Sequence, residues 1–315
     1  MTKNNSTIRS IAFALAIFFV FLPTFSFALV NEEGVDKFRK SVNSILSNTC
    51  LRKNNYGVKI YSLDRGETLY EIRSKQLFIP ASNAKVLTTA VALKYLGSNY
   101  RFSTEFYTDG ILENETLKGN LYIKGSGDPK LVTEQLWLIV NELRNLPIKK
   151  IKGNIIADDS FFDNQKRIKT WIKNPGAQAY EAPLGALSFN FNTVKVYVSP
   201  GEKVGDRPGI VIEPENEYIK LENNAQTLRP GKRRRLIVNR VDKEDHDLIT
   251  VSGGINIGQP RAHYFLNITN PTQYALSVFK SYIDLSGITF DGQLQRGKVP
   301  DDAMELYIHE GEPLA

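Results

Sequence analysis

The run FIPASNAKVLTTAVALKYLG, from Phe78 to Gly97, constrains the fold more than any other stretch of the chain. Val86, Leu87, Ala90, Val91, Ala92, Leu93 and Leu96 leave no broad polar stripe, so the helix they predict needs cover on nearly all sides. Pro80 suits a helix start and sets Ser82 at or beside the helix N-terminus. The lysine nearest that start, Lys85, follows Ser82 by one turn. Positions three apart share a helix face, so the Ser82 hydroxyl and the Lys85 amine can meet. Burial strips a lysine of hydration and favours its neutral form. A neutral amine beside a hydroxyl can take its proton, which activates a serine nucleophile without a histidine. The plain alternative is an N-cap serine with a lysine snorkelling off a core helix.

Ser-x-x-Lys is a short pattern, and the chain holds it twice. Ser277-Val278-Phe279-Lys280 lies inside a second helical run, where Ser277, Lys280, Ser281 and Asp284 share one side. That side is expected to be a solvated polar face rather than a catalytic one. The apolar surroundings of Ser82 and Lys85 are what separate the two matches.

Around these helices the texture alternates. Residues 33–49 predict a helix with Val35, Phe38, Val42, Ile45 and Leu46 on one side. YGVKIYSLDRGETLYEIRS predicts a β-hairpin turning at Asp64-Arg65-Gly66. After Gly97 come short strands and Gly/Asn turns, a helix over 131–145, and a strand in IKGNIIADDSFF. Val194, Val196 and Val198 alternate as in a half-buried strand. Residues 201–262 are turn-rich and β-leaning, and Pro271 to Gly287 predicts a helix stopped by glycine. A β-rich segment between helical ones predicts an insertion into a first domain.

The ends and the charges add boundaries. Lys3, Arg9, the apolar stretch Ile11–Phe25 and Ser26-Phe27-Ala28 predict an export signal over residues 1–28, cleaved near Ala28; the alternative is an uncleaved membrane anchor, against which Pro23 and the short apolar stretch argue. Cys50 is the single cysteine, so no intrachain disulfide forms, and a structural role is expected for it. A net charge of +6 does not demand a nucleic acid, and no nucleic-acid module is present. RPGKRRRLIVNR (229–240) is a solvated loop or, through Arg233, Arg234 and Arg235, a contact with an anionic surface. Asp158-Asp159 is read as structural, since neighbours in a strand point to opposite faces. Gly125-x-Gly127 is read as a turn, with no third glycine and no parallel β-α-β pattern around it. His246, His263 and His309 stand apart and predict no metal site.

Several blocks then fall in a familiar order. FIPASNAKVLTTAVALKYLGSNYRF, LKGNLYIKGSGDPKL (117–131), IKGNIIADDSFFD (151–163), YEAPLGALSFNFNTVKVYVSPG (180–201) and FLNITNPTQYALSVFKSYIDLSGI (265–288) resemble successive segments of one family. It is the D-alanyl-D-alanine carboxypeptidase/endopeptidase family, the class C low-molecular-mass penicillin-binding proteins. The resemblance runs from about residue 33 to the end. It implies an α/β fold, a transpeptidase/β-lactamase-like serine DD-peptidase domain with a large β-rich inserted region. Residues 29–97 would carry the active-serine helix, 98–262 the insertion, and 263–315 a return to the first domain. Ser82 would be the acyl-ester nucleophile and Lys85 its proton acceptor, acting on peptidoglycan stem peptides in the periplasm or cell envelope. β-Lactams would acylate the same serine. No metal or organic cofactor is implied. A non-catalytic envelope-binding remnant and a β-lactamase-like hydrolase are the alternatives.

The same resemblance calls for S-x-N and K-T/S-G motifs. Ser188-Phe189-Asn190 matches the first formally but sits in the inserted block, where a structural role is expected. No K-T-G or K-S-G occurs, and His309-Glu310-Gly311 has the wrong middle residue. Asn174 and Pro175 stand where relatives carry a specificity aspartate. The chain ends at YIHEGEPLA, so it resembles the N-terminal part of such an enzyme. The 315-residue chain alone is therefore expected to release no D-alanine from a muropeptide; release that Ser82→Ala abolishes would contradict this.

Overall fold

The computed structural model describes residues 32–47, 55–168, 176–232 and 235–315. The export signal, Cys50, Asn174, Pro175, Arg233 and Arg234 lie outside these. The chain divides into two compact units, meeting between Thr88 and Thr89.

In the first unit, helix α1 (Glu32–Leu46) precedes a hairpin of β1 (Val58–Ser62) and β2 (Glu67–Ile72). The strands run antiparallel, with Ile60 opposite Tyr70 and the expected turn at residues 63–66. Two side chains tie α1 to the hairpin. The Tyr70 hydroxyl donates to Asn43 Oδ1 at 2.7 Å, and Arg39 Nε donates to the Leu69 carbonyl at 2.8 Å. A 3₁₀ turn at Ala81–Asn83 then leads into helix α2 (Ala84–Leu96), within which the boundary between the units falls.

Helix α2 departs from expectation. None of its residues is buried; Val86 is 72%, Leu87 70% and Tyr95 77% exposed. Apolar composition states what a helix needs, not what it gets, and no described element covers this one.

In the second unit, β3 (Arg101–Thr108), β4 (Ile111–Glu113), β5 (Thr116–Lys118) and β6 (Leu121–Gly125) precede helix α3 (Thr133–Asn145). Strands β7 (Lys150–Lys152) and β8 (Ile155–Asp158) follow. The single strand expected in IKGNIIADDSFF is thus two, because Gly153 (φ +159°) breaks it. The halves join different sheets: β7 lies parallel to β5, and β8 parallel to β6. A parallel β-α-β unit therefore does surround Gly125-x-Gly127, contrary to the sequence expectation. It was missed because strands of three to five residues are too short to show alternation. Gly125 serves packing, since a Cβ there would fall 2.3 Å from the Ala186 carbonyl oxygen.

Further on come β9 (Thr193–Ser199), β10 (Gly209–Glu213), β11 (Ile219–Leu228), β12 (Ile237–Asp242), β13 (Asp247–Asn256) and β14 (Ala262–Asn267). They form two three-stranded sheets, ordered β10-β9-β14 and β11-β13-β12. Val194, Val196 and Val198 are buried as expected. Each such burial is worth roughly 1.5–3 kcal/mol over exposure. Helix α4 (Pro271–Leu285) follows, with Asn270 Oδ1 accepting from the Gln273 N–H and Pro271 in the first turn. Tyr274, Leu276, Val278 and Ile283 are wholly buried, so α4 is the axis of the core. Strands β15 (Thr289–Phe290), β16 (Leu294–Arg296) and β17 (Met304–Pro313) then pair with β7, β8 and β3. Residues 263–315 thereby complete sheets begun by residues 101–158, within one unit.

Two buried carboxylates hold the entry to α4. Asp247 accepts from the Thr269 N–H at 2.8 Å and the Thr269 hydroxyl at 2.7 Å, and pairs with Arg240 at 3.4 Å. Asp159 accepts from Thr272 Oγ1 at 2.5 Å, Lys166 Nζ at 2.7 Å and Arg296 Nε at 2.7 Å. Burial pushes the Asp159 carboxyl up, but the bonds from Lys166, Thr272 and Arg296 outweigh it and hold the group below its ordinary value. Asp158 is also structural, accepting from the Ser160 and Val299 N–H groups. His309 on β17 is buried beside Asp128. His309 Nε2 and Asp128 Oδ2 have no hydrogen-bond partner among the described residues.

Two outcomes follow from these groups. Asp247→Ala leaves Arg240 buried without its carboxylate, so urea unfolding should show a loss of about 3 kcal/mol or more; a loss under about 1 kcal/mol would contradict the assignment. Burial lowers the His309 pKa from its ordinary 6.5, against the opposing pull of Asp128. The unfolded chain then binds a proton that the folded one refuses, so His309 subtracts stability as pH falls below about 6.5. His309→Gln should flatten the stability profile as pH falls below about 6.5; an unchanged slope would rule this out.

Candidate active site

Ser82 owes its position to local backbone chemistry. Pro80 sits at φ −69°, and Ala81 takes φ +44°, a left-handed conformation that costs an alanine on the order of 1 kcal/mol. That sharp turn leads from residues 77–79, which belong to no helix or strand, into the 3₁₀ turn, closed by a bond from the Asn83 N–H to the Pro80 carbonyl at 2.9 Å. Ser82 lies in this turn and Lys85 in the first turn of α2, three positions further on. The expectation that they are buried is not met: both side chains are exposed, and no hydrogen bond joins them among the described residues. The proton-acceptor chemistry drawn from burial needs a cover over α2 that the described residues do not supply.

The second Ser-x-x-Lys differs in every respect. Ser277 is 4% exposed, and its hydroxyl accepts from the Glu217 N–H at 2.8 Å and the Tyr218 N–H at 3.0 Å. The expected solvated face is instead docked onto the chain at 217–218. Two backbone donors there need an acceptor once buried, and Ser277 is that acceptor. Lys280 pairs with Asp284 at 2.8 Å and Glu217 at 3.2 Å. The Asp284 carboxylate, with Glu217 beside it, raises the Lys280 pKa and keeps the amine charged. A hydroxyl already bonded twice and a lysine held charged are unfit as nucleophile and base.

Ser188-Phe189-Asn190 is structural, as expected. The Ser188 hydroxyl donates to the Gly185 carbonyl at 2.8 Å. Asn190 caps α3 from a distant segment: Oδ1 accepts from the Thr133 N–H and Nδ2 donates to Thr133 Oγ1, each at 3.0 Å. The histidines do not converge. His246 contacts Asp245 at 2.6 Å, His263 meets the Phe265 ring edge-on, and His309 is buried on β17. No group of three ligand-type side chains occurs among the described residues. No helix among them is long and apolar enough to cross a membrane.

Comparison with known proteins bears on this site. The model of the D-Ala-D-Ala carboxypeptidase 3 (S13) family matches residues 38–315. A D-alanyl-D-alanine carboxypeptidase of Actinomadura sp. is 26% identical over 289 residues, covering 89% of this chain and 53% of the relative. D-alanyl-D-alanine carboxypeptidase DacB of Haemophilus influenzae is 23% identical, covering 83% of this chain and 54% of the relative. The chain thus spans about half the length of the curated relatives it matches. Penicillin binding protein 4 of Haemophilus influenzae superposes with a TM-score of 0.69 at 23% identity, over 82% of this chain and 57% of that one. The fold is therefore the α/β fold of that penicillin-binding protein.

Proposed function

The chain belongs to the D-Ala-D-Ala carboxypeptidase 3 (S13) family, and on that premise we propose that it carries the acylating half-site of a serine DD-peptidase acting on peptidoglycan stem peptides. The supporting observation is Ser82-Asn83-Ala84-Lys85 at the start of α2, inside a family match that runs from residue 38 to residue 315. Ser82 Oγ attacks the carbonyl carbon between two D-alanines while Lys85 Nζ takes the hydroxyl proton. The tetrahedral adduct collapses, the peptide C–N bond breaks, and the departing D-alanine amine receives the proton. Water then hydrolyses the ester, releasing the shortened peptide and restoring the serine. A β-lactam carbonyl enters the same first step and leaves a penicilloyl ester on Ser82.

Lys85 is a fitting acceptor only when α2 is covered. Its apolar residues mark where that cover belongs, and covering them would desolvate the amine. Residues 29–97 begin the catalytic domain, and the β-rich region is inserted into it. The product acts in the periplasm or cell envelope once residues 1–28 are removed. The basic segment at Arg233, Arg234 and Arg235 faces an anionic envelope surface; Arg235 is exposed and has no carboxylate partner among the described residues. The exposure of α2 favours one other reading, a non-catalytic envelope-binding remnant.

Prolonged incubation with a fluorescent penicillin separates the two. The expected result is slow, covalent labelling that maps to the Ser82 peptide, vanishes in Ser82→Ala and survives in Ser277→Ala. Label retained by Ser82→Ala would overturn the nucleophile assignment, and no label at all would leave the remnant.

A further inference from the structure

The sheet ordered β10-β9-β14 turns one face to the core and the other outward. Val194, Val196 and Val198 fill the core side, so Thr193, Lys195 and Tyr197 lie on the outer face. The register sets Glu213 on one side of Lys195 and Phe265 on the other. A cleft of about 340 Å³ is bounded by this row and the start of α3. Its walls carry Phe191 and Phe265, which are 66% and 50% exposed, together with Lys195, Glu134 and Glu213.

Phe191 is presented by a fixed and unusual backbone. Asn190, Phe191 and Asn192 take φ of +47°, +57° and +54°, three left-handed residues in succession. Asparagine tolerates that region, whereas a bulky residue rarely enters it. Both neighbours are locked. Asn190 caps α3 through Thr133, and buried Asn192 donates to the Pro183 carbonyl at 2.8 Å and to Ser188 Oγ at 2.9 Å. Phe191 thus stands in water on a strained turn, and strain of this kind gathers at binding sites. The second ring is positioned too: Lys195 Nζ lies 5.5 Å from the Phe265 centroid, and His263 meets the ring edge-on at 5.9 Å. Tyr197 is already occupied. Arg261 lies over it, with Cζ 3.4 Å from the centroid, and its hydroxyl donates to Glu213 Oε2 at 2.9 Å, which holds that carboxylate at the rim.

We propose that this cleft binds a neutral glycan of N-acetylated hexosamine units, with Phe191 and Phe265 as stacking platforms and Lys195, Glu134 and Glu213 as hydrogen-bonding partners. A pyranose is apolar on its C–H faces and polar round its edge. The C–H groups meet the negative faces of the aromatic rings. The hydroxyls and acetamide N–H donate to the carboxylates, and the sugar oxygens accept from the Lys195 ammonium. Other occupants match less of the surface. An apolar one would desolvate three charged groups without giving them partners. A polyanion would meet Glu134 and Glu213, and a polycation Lys195. The centre of the site is the face of β9, which is paired on both sides, so an extended peptide finds no row of free backbone groups there. The proposal rests on the peptidoglycan reading for the source of the glycan and is independent of acylation at Ser82.

The full chain is titrated by calorimetry with a β-1,4-linked N-acetylglucosamine tetramer, with its de-N-acetylated cationic counterpart and with a free stem peptide. The tetramer should bind. Phe191→Asn keeps the left-handed turn and removes the ring, and Phe265→Thr keeps a residue suited to a strand. Each should weaken tetramer binding about fivefold or more. Lys195→Gln should weaken it about threefold. The control Tyr61→Thr, which removes a half-exposed ring from β1 in the first unit, should change affinity less than about twofold. If Phe265→Thr does not fold, Phe191→Asn carries the test. No binding of the tetramer, or an equal loss in the control, overturns the site. Binding of the cationic oligomer or the stem peptide in place of the tetramer, lost in the same variants, overturns the neutral-glycan assignment. Penicillin labelling of the unmodified chain is read separately. Label at Ser82 without tetramer binding overturns this site alone, and tetramer binding without label supports it while removing the acylation reading.

Discussion

Two buried carboxylates at the entry to α4 are what the rest of the second unit depends on. Asp247, at the start of β13, holds Thr269; Asp159, just past β8, holds Thr272. These strands belong to different sheets, so the two acids bring separate sheets to one end of the same helix. A helix N-terminus favours negative charge, which lowers the cost of burying both. Each acid also holds a cation: Arg240 on one side, Lys166 and Arg296 on the other. Arg240 reaches on to Asn267 at the end of β14, and the Asn267 amide donates to the Gly176 and Gln178 carbonyls. Each cluster thus ties its own strands to the start of α4, whose apolar residues belong to the core.

What was legible in the sequence is what local pattern decides. The hairpin at 58–72 has alternation and an Asp-Arg-Gly turn, α3 and α4 have helical periodicity, and β9 shows its valines. What was not legible depends on distant partners. Asp159 meets Thr272 and Arg296 more than a hundred positions away, so nothing near it in the chain says which cation it will hold. Strands β7 and β8 look like one strand until Gly153 turns between them. Strands β15 and β16 are two and three residues long and exist only because β7 and β8 offer parallel edges. Ser277 was misplaced for the same reason: its polar side meets the chain at 217–218, which the helix's own periodicity cannot reveal.

The Ser-x-x-Lys pair shows how far a motif goes without its surroundings. The turn at Ala81 and the 3₁₀ geometry are local, and they place Ser82 three positions before Lys85 at the opening of α2. The desolvation that would tune Lys85 is not local. An apolar helix whose Val86, Leu87 and Tyr95 are each at least 70% exposed holds a large unrealised burial energy, on the order of 1.5–3 kcal/mol for each such side chain. Covering that face and neutralising the lysine are one event, because the same layer that buries Val86 and Leu87 excludes water from the amine. The proposed nucleophile and base are therefore placed by the turn that opens α2, whereas the reactivity proposed for them depends on what packs on the rest of the helix.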